Sequence, residues 1–332
     1  MGRGGVAKVQ HYVPKFLLRN FGVGKKDHLF VFDKRTGKNF KTAARNVAAE
    51  SGFYDIQFQE HTLTLEPSLA QLEGKAAAIV GKLLAASNVR ALSDDDRAML
   101  AVFFSVQMMR TRAAREQWRH MGNVLAKEIR RIAPDNSQEL IEKYVGPEPD
   151  KNEETLQSIR LIRSAPQKFA LHFLDKAWVL LKTDRRHPFC IGDHPLGMQN
   201  ANPREFCGNI GLAVDGIEIY FPLDPEYALG MWCPTLEAEM RQGLGKLNSL
   251  SPSVSLLDSE FAGRKLYLEQ TVSAIDAGHP LRYLPENVTN FNSIQIANAE
   301  RYVFASSDDF ALVRDMLRSN PELRTGRRFS TS

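Results

Sequence analysis

Apolar positions change their spacing several times along the chain, and each change predicts a different kind of element. Between His11 and Phe21 the residues Phe16, Leu17 and Phe21 share one helical face, which Pro14 can open and Gly22 and Gly24 can stop. His28 to Asp33 then alternates, Lys34 to Lys38 carries turn chemistry, and Asn39 to Thr42 returns, which predicts a hairpin. A further strand is expected over Phe53 to Phe58.

From Pro67 the period becomes 3.6: Leu69, Leu72, Ala76, Ile79, Val80 and Leu83 form one stripe that ends near Ala86. Ser93 followed by Asp94, Asp95 and Asp96 marks a second helix start, with a capping hydroxyl and carboxylates at the positive end of the dipole. That helix is expected to run unbroken to about Ile132, enclosed in its apolar first half and solvated in its charged second half. Residues 143–154 read as a linker, and Glu154 to Leu174 as another helix. After Lys176 come short apolar runs at Ala177 to Thr183, Phe189 to Gly192, Gly216 to Phe221 and Tyr227 to Trp232. Helices return at Pro234 to Leu250, Pro285 to Arg301 and Asp308 to Arg318, with Tyr302 to Ala305 as a late strand. This order predicts an α+β fold: a helix-rich first half packed on a mixed or antiparallel sheet in the second half. The expected division is one unit over 8–320, with subregions 8–150 and 151–320, followed by a flexible tail over 321–332.

Composition narrows the class. With 43% hydrophobic and 25% charged residues the 332-residue chain has the makings of a globular core rather than of disorder. A net charge of +4 is too mild to demand nucleic acid, although Arg110 to Arg131 and Arg314 to Arg328 are Arg-rich. Cys190, Cys207 and Cys233 share no metal-ligand spacing, so neither a disulfide framework nor a structural zinc site is expected. No apolar leader opens the sequence and no run of 18 apolar residues interrupts it, which predicts a cytoplasmic protein without a membrane partner.

Two polar segments interrupt the apolar pattern. The first is His11-Tyr12-Val13-Pro14-Lys15-Phe16-Leu17-Leu18-Arg19-Asn20-Phe21, where His11, Arg19 and Asn20 stand among residues that demand burial. The second is Cys190-Ile191-Gly192-Asp193-His194-Pro195 at the end of an apolar strand, where Gly192 permits a bend and Asp193 with His194 could bind a metal or form an acid–base pair. Each has a plain structural alternative: His11 as a cap or partner of a buried carbonyl, and Asp193-His194-Pro195 as an Asx-turn. Gln107 and Arg110, one turn apart, could present a planar cation to a phosphate, or Arg110 could pair Glu66 or Glu73 to hold the fold. Asn290 belongs to a run of asparagines, poor helix interiors that point to specific hydrogen bonds. Phosphate-binding glycine loops, nucleophile elbows and zinc-protease motifs are missing from the sequence.

These segments, with Gly52-Phe53-Tyr54, Leu65-Glu66, Leu72-Glu73, Gln107 to Thr111, Tyr220-Phe221-Pro222-Leu223 and Asn290 to Phe304, resemble the domain of unknown function 4238 family, which is widespread in bacteria. The likeness runs from about residue 10 to about residue 310. In that family the second motif usually reads Ser-Asp-Asn-Pro, so Asp193 and Pro195 carry over whereas Gly192 and His194 depart from it. The resemblance implies no activity, but it groups His11, Asn20, Arg110 and Asp193 into one site.

Three functional readings follow. In the first, a nuclease-like hydrolase acts on a phosphodiester or nucleotide: His11 is the acid or base, Asp193 an orienter or the ligand of a divalent metal, His194 beside it a further catalytic residue, and Arg110 the charge stabiliser. Arg19, Asn20, Gln107 and Asn290 would help to hold that substrate. In the second, the same cleft binds nucleic acid or a nucleotide without turnover, the Arg-rich stretches touching phosphates. In the third, the polar motifs are architectural only.

Overall fold

The computed structural model describes residues 9–58, 61–147, 150–200, 210–249 and 259–328; Cys207 lies outside them. The fold is α+β. Strand β1 (Val9–His11) leads into the short helix α1 (Lys15–Asn20), which Pro14 opens as expected. β2 (His28–Asp33) and β3 (Lys38–Ala43) form the anticipated hairpin, its turn closed by Gly37 at φ +72°. β4 (Ala49–Ser51) pairs with β1, setting His11 opposite Ala49. β5 (Asp55–Phe58) and β6 (His61–Thr64) make a second antiparallel pair. Gln10 is fully buried between these pairs: its amide nitrogen donates to Asp55 and its oxygen accepts from the Tyr54 backbone.

Helix α2 (Glu66–Ala86) follows the predicted stripe, burying Leu69, Ala76, Val80 and Leu83. α3 (Asp94–Met109) starts at Ser93 with a full capping box to Asp96. The expectation of an unbroken helix to Ile132 is corrected at Arg110-Thr111. Thr111 leaves helical geometry at φ −83° and ψ 160°, and its hydroxyl caps a new helix, α4 (Arg112–Ile132), by accepting from the Ala114 N–H. A capping hydroxyl offsets the carbonyl and amide bonds that the break gives up, and the break makes Arg110-Thr111 a buried corner. The expected linker over 143–154 is shorter than read. α5 (Ser137–Tyr144) occupies the stretch before it, and α6 (Lys151–Leu174) begins at an Asp150 capping box.

The second half supplies β7 (Ala177–Lys182), β8 (Ile191–Gly192), β9 (Gly197–Gln199), β10 (Glu218–Pro222), β11 (Tyr227–Trp232), helix α7 (Pro234–Asn248), β12 (Leu281–Arg282) and β13 (Tyr302–Ala305). Helices Ser259–Ala277, Pro285–Asn298 and Ala311–Ser319 separate or follow the last strands. The main sheet has the order β12-β7-β11-β10-β9, antiparallel except for the parallel β12–β7 pair. Both of its faces are covered, which explains why its strands read as continuous apolar runs. Trp178, Leu180, Phe221 and Met231 pack with Phe103, Phe104 and Phe173 on one side; Val179, Leu181, Tyr220 and Trp232 pack with Phe291 and Ala274 on the other. Burial of each such Phe contributes about 2 kcal/mol or more.

The other sheet, β3-β2-β13-β8, joins the early hairpin to strands from the far end of the chain. The tail read as flexible from residue 321 is instead docked as far as Arg328. Arg324 donates to the Lys34 carbonyl, and Arg328 pairs with the fully buried Glu300 at 2.7 Å. An uncompensated buried carboxylate would be costly, so the tail's arginine is held in place.

Candidate functional site at the α3–α4 corner

Because Gln107 and Arg110 are one helical turn apart, they reach the same neighbour and take successive carbonyls of the first motif. Gln107 Nε2 donates to Tyr12 at 3.0 Å and Arg110 Nη2 donates to His11 at 2.5 Å. Arg110 is 1% exposed. It pairs with Glu73 at 2.7 Å, while its Nε donates to the Tyr54 hydroxyl at 3.3 Å. Burial alone would lower its affinity for a proton; the Tyr54 hydroxyl and Glu73 outweigh burial and raise it, so the guanidinium is firmly cationic.

Around this cation several polar atoms have no hydrogen-bond partner among the described residues: His11 Nε2, Glu66 Oε2, Gln107 Oε1 and Arg110 Nη1. Folded proteins pair such atoms, since each one left alone costs about 1–3 kcal/mol. Burial first, then the positive charge of Lys15, with Arg110 adding to them, hold His11 down to about 4, so its ring is neutral near pH 7. The backbone at Arg45 and Ala44 opposes that shift. Given the unpartnered Nε2, the proton of the neutral ring belongs on Nδ1, and Nε2 presents a lone pair. Glu66 shifts the opposite way: burial and the nearby charge of Glu73 raise its carboxyl above the usual range, against the pull of Arg110 and Lys15. A neutral imidazole and a carboxyl that resists ionisation thus sit around one fixed cation, the pattern that marks acid–base sites.

The second motif reaches the same corner through His194, whose Nδ1 lies 2.7 Å from the Thr111 hydroxyl. Burial holds His194 down to about 4, the charge of Glu300 opposing it. Asp193 is differently placed. Its carboxylate, 1% exposed, accepts the backbone N–H groups of Glu300, Arg301 and Tyr302, and its own N–H donates to the Tyr302 carbonyl. It clamps the turn into β13. Burial pushes it up to about 6 although those three N–H groups and Lys34 favour the ionised form. Gly192 is needed less for a bend than for close approach, because a Cβ there would lie 2.8 Å from the Gln295 carbonyl oxygen.

Of the other sequence-derived residues, Asn20 holds the Leu223 carbonyl at 2.9 Å, exposed Arg19 pairs with Asp27 at 3.5 Å, and exposed Asn290 donates to Gln199. The structure brings His11, Gln107 and Arg110 together, with His194 at the same corner, and leaves Arg19 and Asn290 elsewhere. Among the described residues no group of three or more His, Cys, Asp or Glu side chains is placed to hold a metal ion. Both Asp193 oxygens accept backbone N–H groups, so this carboxylate carries no sign of the metal-ligand role expected of it. Glu66 and Glu73 were legible only as alternative partners for Arg110. Lys15 and Tyr54 lay inside the family-like segments without any sign of their roles.

Fold and corner together define an α+β protein with a buried, incompletely paired acid–base cluster. The family profile described as a protein of unknown function, DUF4238, matches residues 9–309, and the chain belongs to that family. No curated protein and no solved structure matches it. Among the described residues no helix is long and apolar enough to cross a membrane.

Proposed function

We propose that the corner is a hydrolytic centre for a phosphodiester or nucleotide, working between His11 and Glu66 against Arg110. The observation that carries this reading is the set of unpaired buried atoms, one imidazole nitrogen, one carboxyl oxygen and one guanidinium nitrogen, on three distant segments coupled to one another by charge. In the reaction, water attacks phosphorus and gives its proton to His11 Nε2. The bond from phosphorus to the leaving oxygen breaks, and that oxygen takes a proton from the Glu66 carboxyl, which burial and Glu73 bias toward its protonated form. Arg110 Nη1 donates to a non-bridging oxygen and stabilises its charge. Glu73, Tyr54 and Gln107 position the arginine and the His11-Tyr12 backbone. Asp193 and His194 belong to this scheme as positioning residues: Asp193 fixes the strand end from which His194 reaches Thr111. Such a substrate fits the cytoplasmic setting that we propose for the protein.

The binding-only reading has less support, because much of the Arg-rich stretch is engaged internally: Arg112 with Glu50, Arg115 with the Phe53 carbonyl, Arg119 with Glu116 and Glu154, and Arg131 with Glu128. The test is turnover of bis(p-nitrophenyl) phosphate and a nucleotide panel by wild type, His11→Gln and Glu66→Gln, with circular dichroism as the control for folding. Each substitution should lower turnover about 100-fold or more with the fold intact. Equal turnover in all three proteins, or none in wild type on any substrate, would contradict the reading.

A further inference from the structure

A cavity of about 630 Å³ opens between α4, α5 and α6, away from the Arg110 corner. Its floor is apolar, from Ala126, Ile141 and Leu161. Four arginines line it, Arg115, Arg119, Arg130 and Arg160, against one carboxylate, Glu154, which is already paired with Arg119 at 2.5 Å. Arg115 is largely buried; its guanidinium stacks 3.5 Å over the Phe53 ring and donates to the Phe53 carbonyl, yet its Nε has no partner among the described residues. Arg130 and Arg160 are exposed at the cavity and form no ion pair among the described residues. Trp118 presents its ring to solvent at 44% exposure on the same wall, whereas Trp178 and Trp232 are buried.

We infer that this cavity is a binding site for an organic anion that joins a planar ring to phosphate groups, a mononucleotide in size. The volume falls within the range of small-molecule sites, about 300–1,000 Å³. Excess positive charge with one neutralised carboxylate selects anions, and planar guanidinium groups suit phosphate oxygens. An exposed indole beside them offers a stacking face for a base. Nothing in this assignment depends on the hydrolytic reading. The aromatic pair Phe53–Tyr54 stands between the two places: Phe53 carries Arg115 and Tyr54 carries Arg110.

Isothermal titration of the full chain with ADP tests the assignment, with Trp118 fluorescence reporting where the ligand sits. ADP should bind at a site that changes the Trp118 signal, while pyrophosphate and adenosine should each bind there more weakly than ADP. Removing charge at the cavity by Arg130→Ala with Arg160→Ala should weaken ADP about 100-fold, roughly tenfold per arginine. Trp118→Leu, read by calorimetry, should weaken ADP but not pyrophosphate. Glu66→Gln should leave the affinity reported by Trp118 unchanged, which separates this site from the corner. The assignment is overturned by absence of ADP binding up to about 1 mM, by unchanged affinity in the double arginine variant, or by pyrophosphate binding as tightly as ADP.

Discussion

Two buried polar clusters lie close to the His11–Tyr12 segment, and they solve the same problem in opposite ways. Around Asp193 and Glu300 the charges are answered. Asp193 takes three backbone N–H groups, Lys34 gives its ammonium to the Ile296 and Ala299 carbonyls, and Glu300 accepts Arg35 and Arg328. Around Arg110 the cation is paired with Glu73, but His11 Nε2, Glu66 Oε2, Gln107 Oε1 and Arg110 Nη1 go without partners among the described residues. The first cluster ties the C-terminal end of helix Pro285–Asn298 and the tail to the ends of strands β2, β8 and β13. The second holds polar atoms ready at a cost in stability, as binding and catalytic sites do.

If the comparison is sound, damage to the closed cluster should appear as lost stability. The largest effect is expected for Asp193→Ala, which strands three N–H groups and leaves Lys34 with Glu300 as its one remaining nearby anion among the described residues. Urea denaturation should show a loss of about 3–5 kcal/mol. A loss below about 1 kcal/mol would remove the distinction between the clusters.

His194 offers a sharper, pH-dependent cut. In the unfolded chain it titrates near 6.5 and in the fold near 4, so between these values the unfolded state binds more protons. The stability due to its neutral, buried state is therefore complete above pH 6.5 and is lost as pH falls toward 4. For a half-buried ring this amounts to about 2 kcal/mol after solvent screening. The difference in unfolding free energy between wild type and His194→Asn should shrink by that amount over this window, whereas parallel curves would show that His194 is not held neutral by the fold. Asp193, shifted upward, acts in the opposite sense over nearly the same range, which is why the difference between the proteins and not the wild-type curve alone is informative. Smaller again is Arg328→Ala: Glu300 keeps Arg35, so a loss of about 1–2 kcal/mol is expected by thermal denaturation.

Much of the fold was legible because periodicity reports burial directly. The hairpin strand His28–Asp33 and the late strand Tyr302–Ala305 fall on the residues whose alternation or apolar run predicted them. The break at Arg110-Thr111 was not legible, since apolar residues run up to it and helix formers follow it, and a single threonine hydroxyl decides the matter. Helix Ser259–Ala277 was missed because its apolar residues form no one-sided stripe. At the site, Glu66 and Glu73 were recognisable as rivals for Arg110, but only tertiary structure shows that Glu73 holds the ion pair and Glu66 is left with a free oxygen. Lys34 gave no signal at all. A lysine in a turn-like string is ordinarily solvated, and its full burial depends on carbonyls 262 and 265 residues away.

The most direct test is the urea unfolding free energy of Glu66→Met. If the Arg110 cluster is held open for a ligand, removing its unpaired carboxyl should leave stability within about 1 kcal/mol of wild type or raise it. A loss comparable to that of Asp193→Ala would contradict the account and make Glu66 part of the framework.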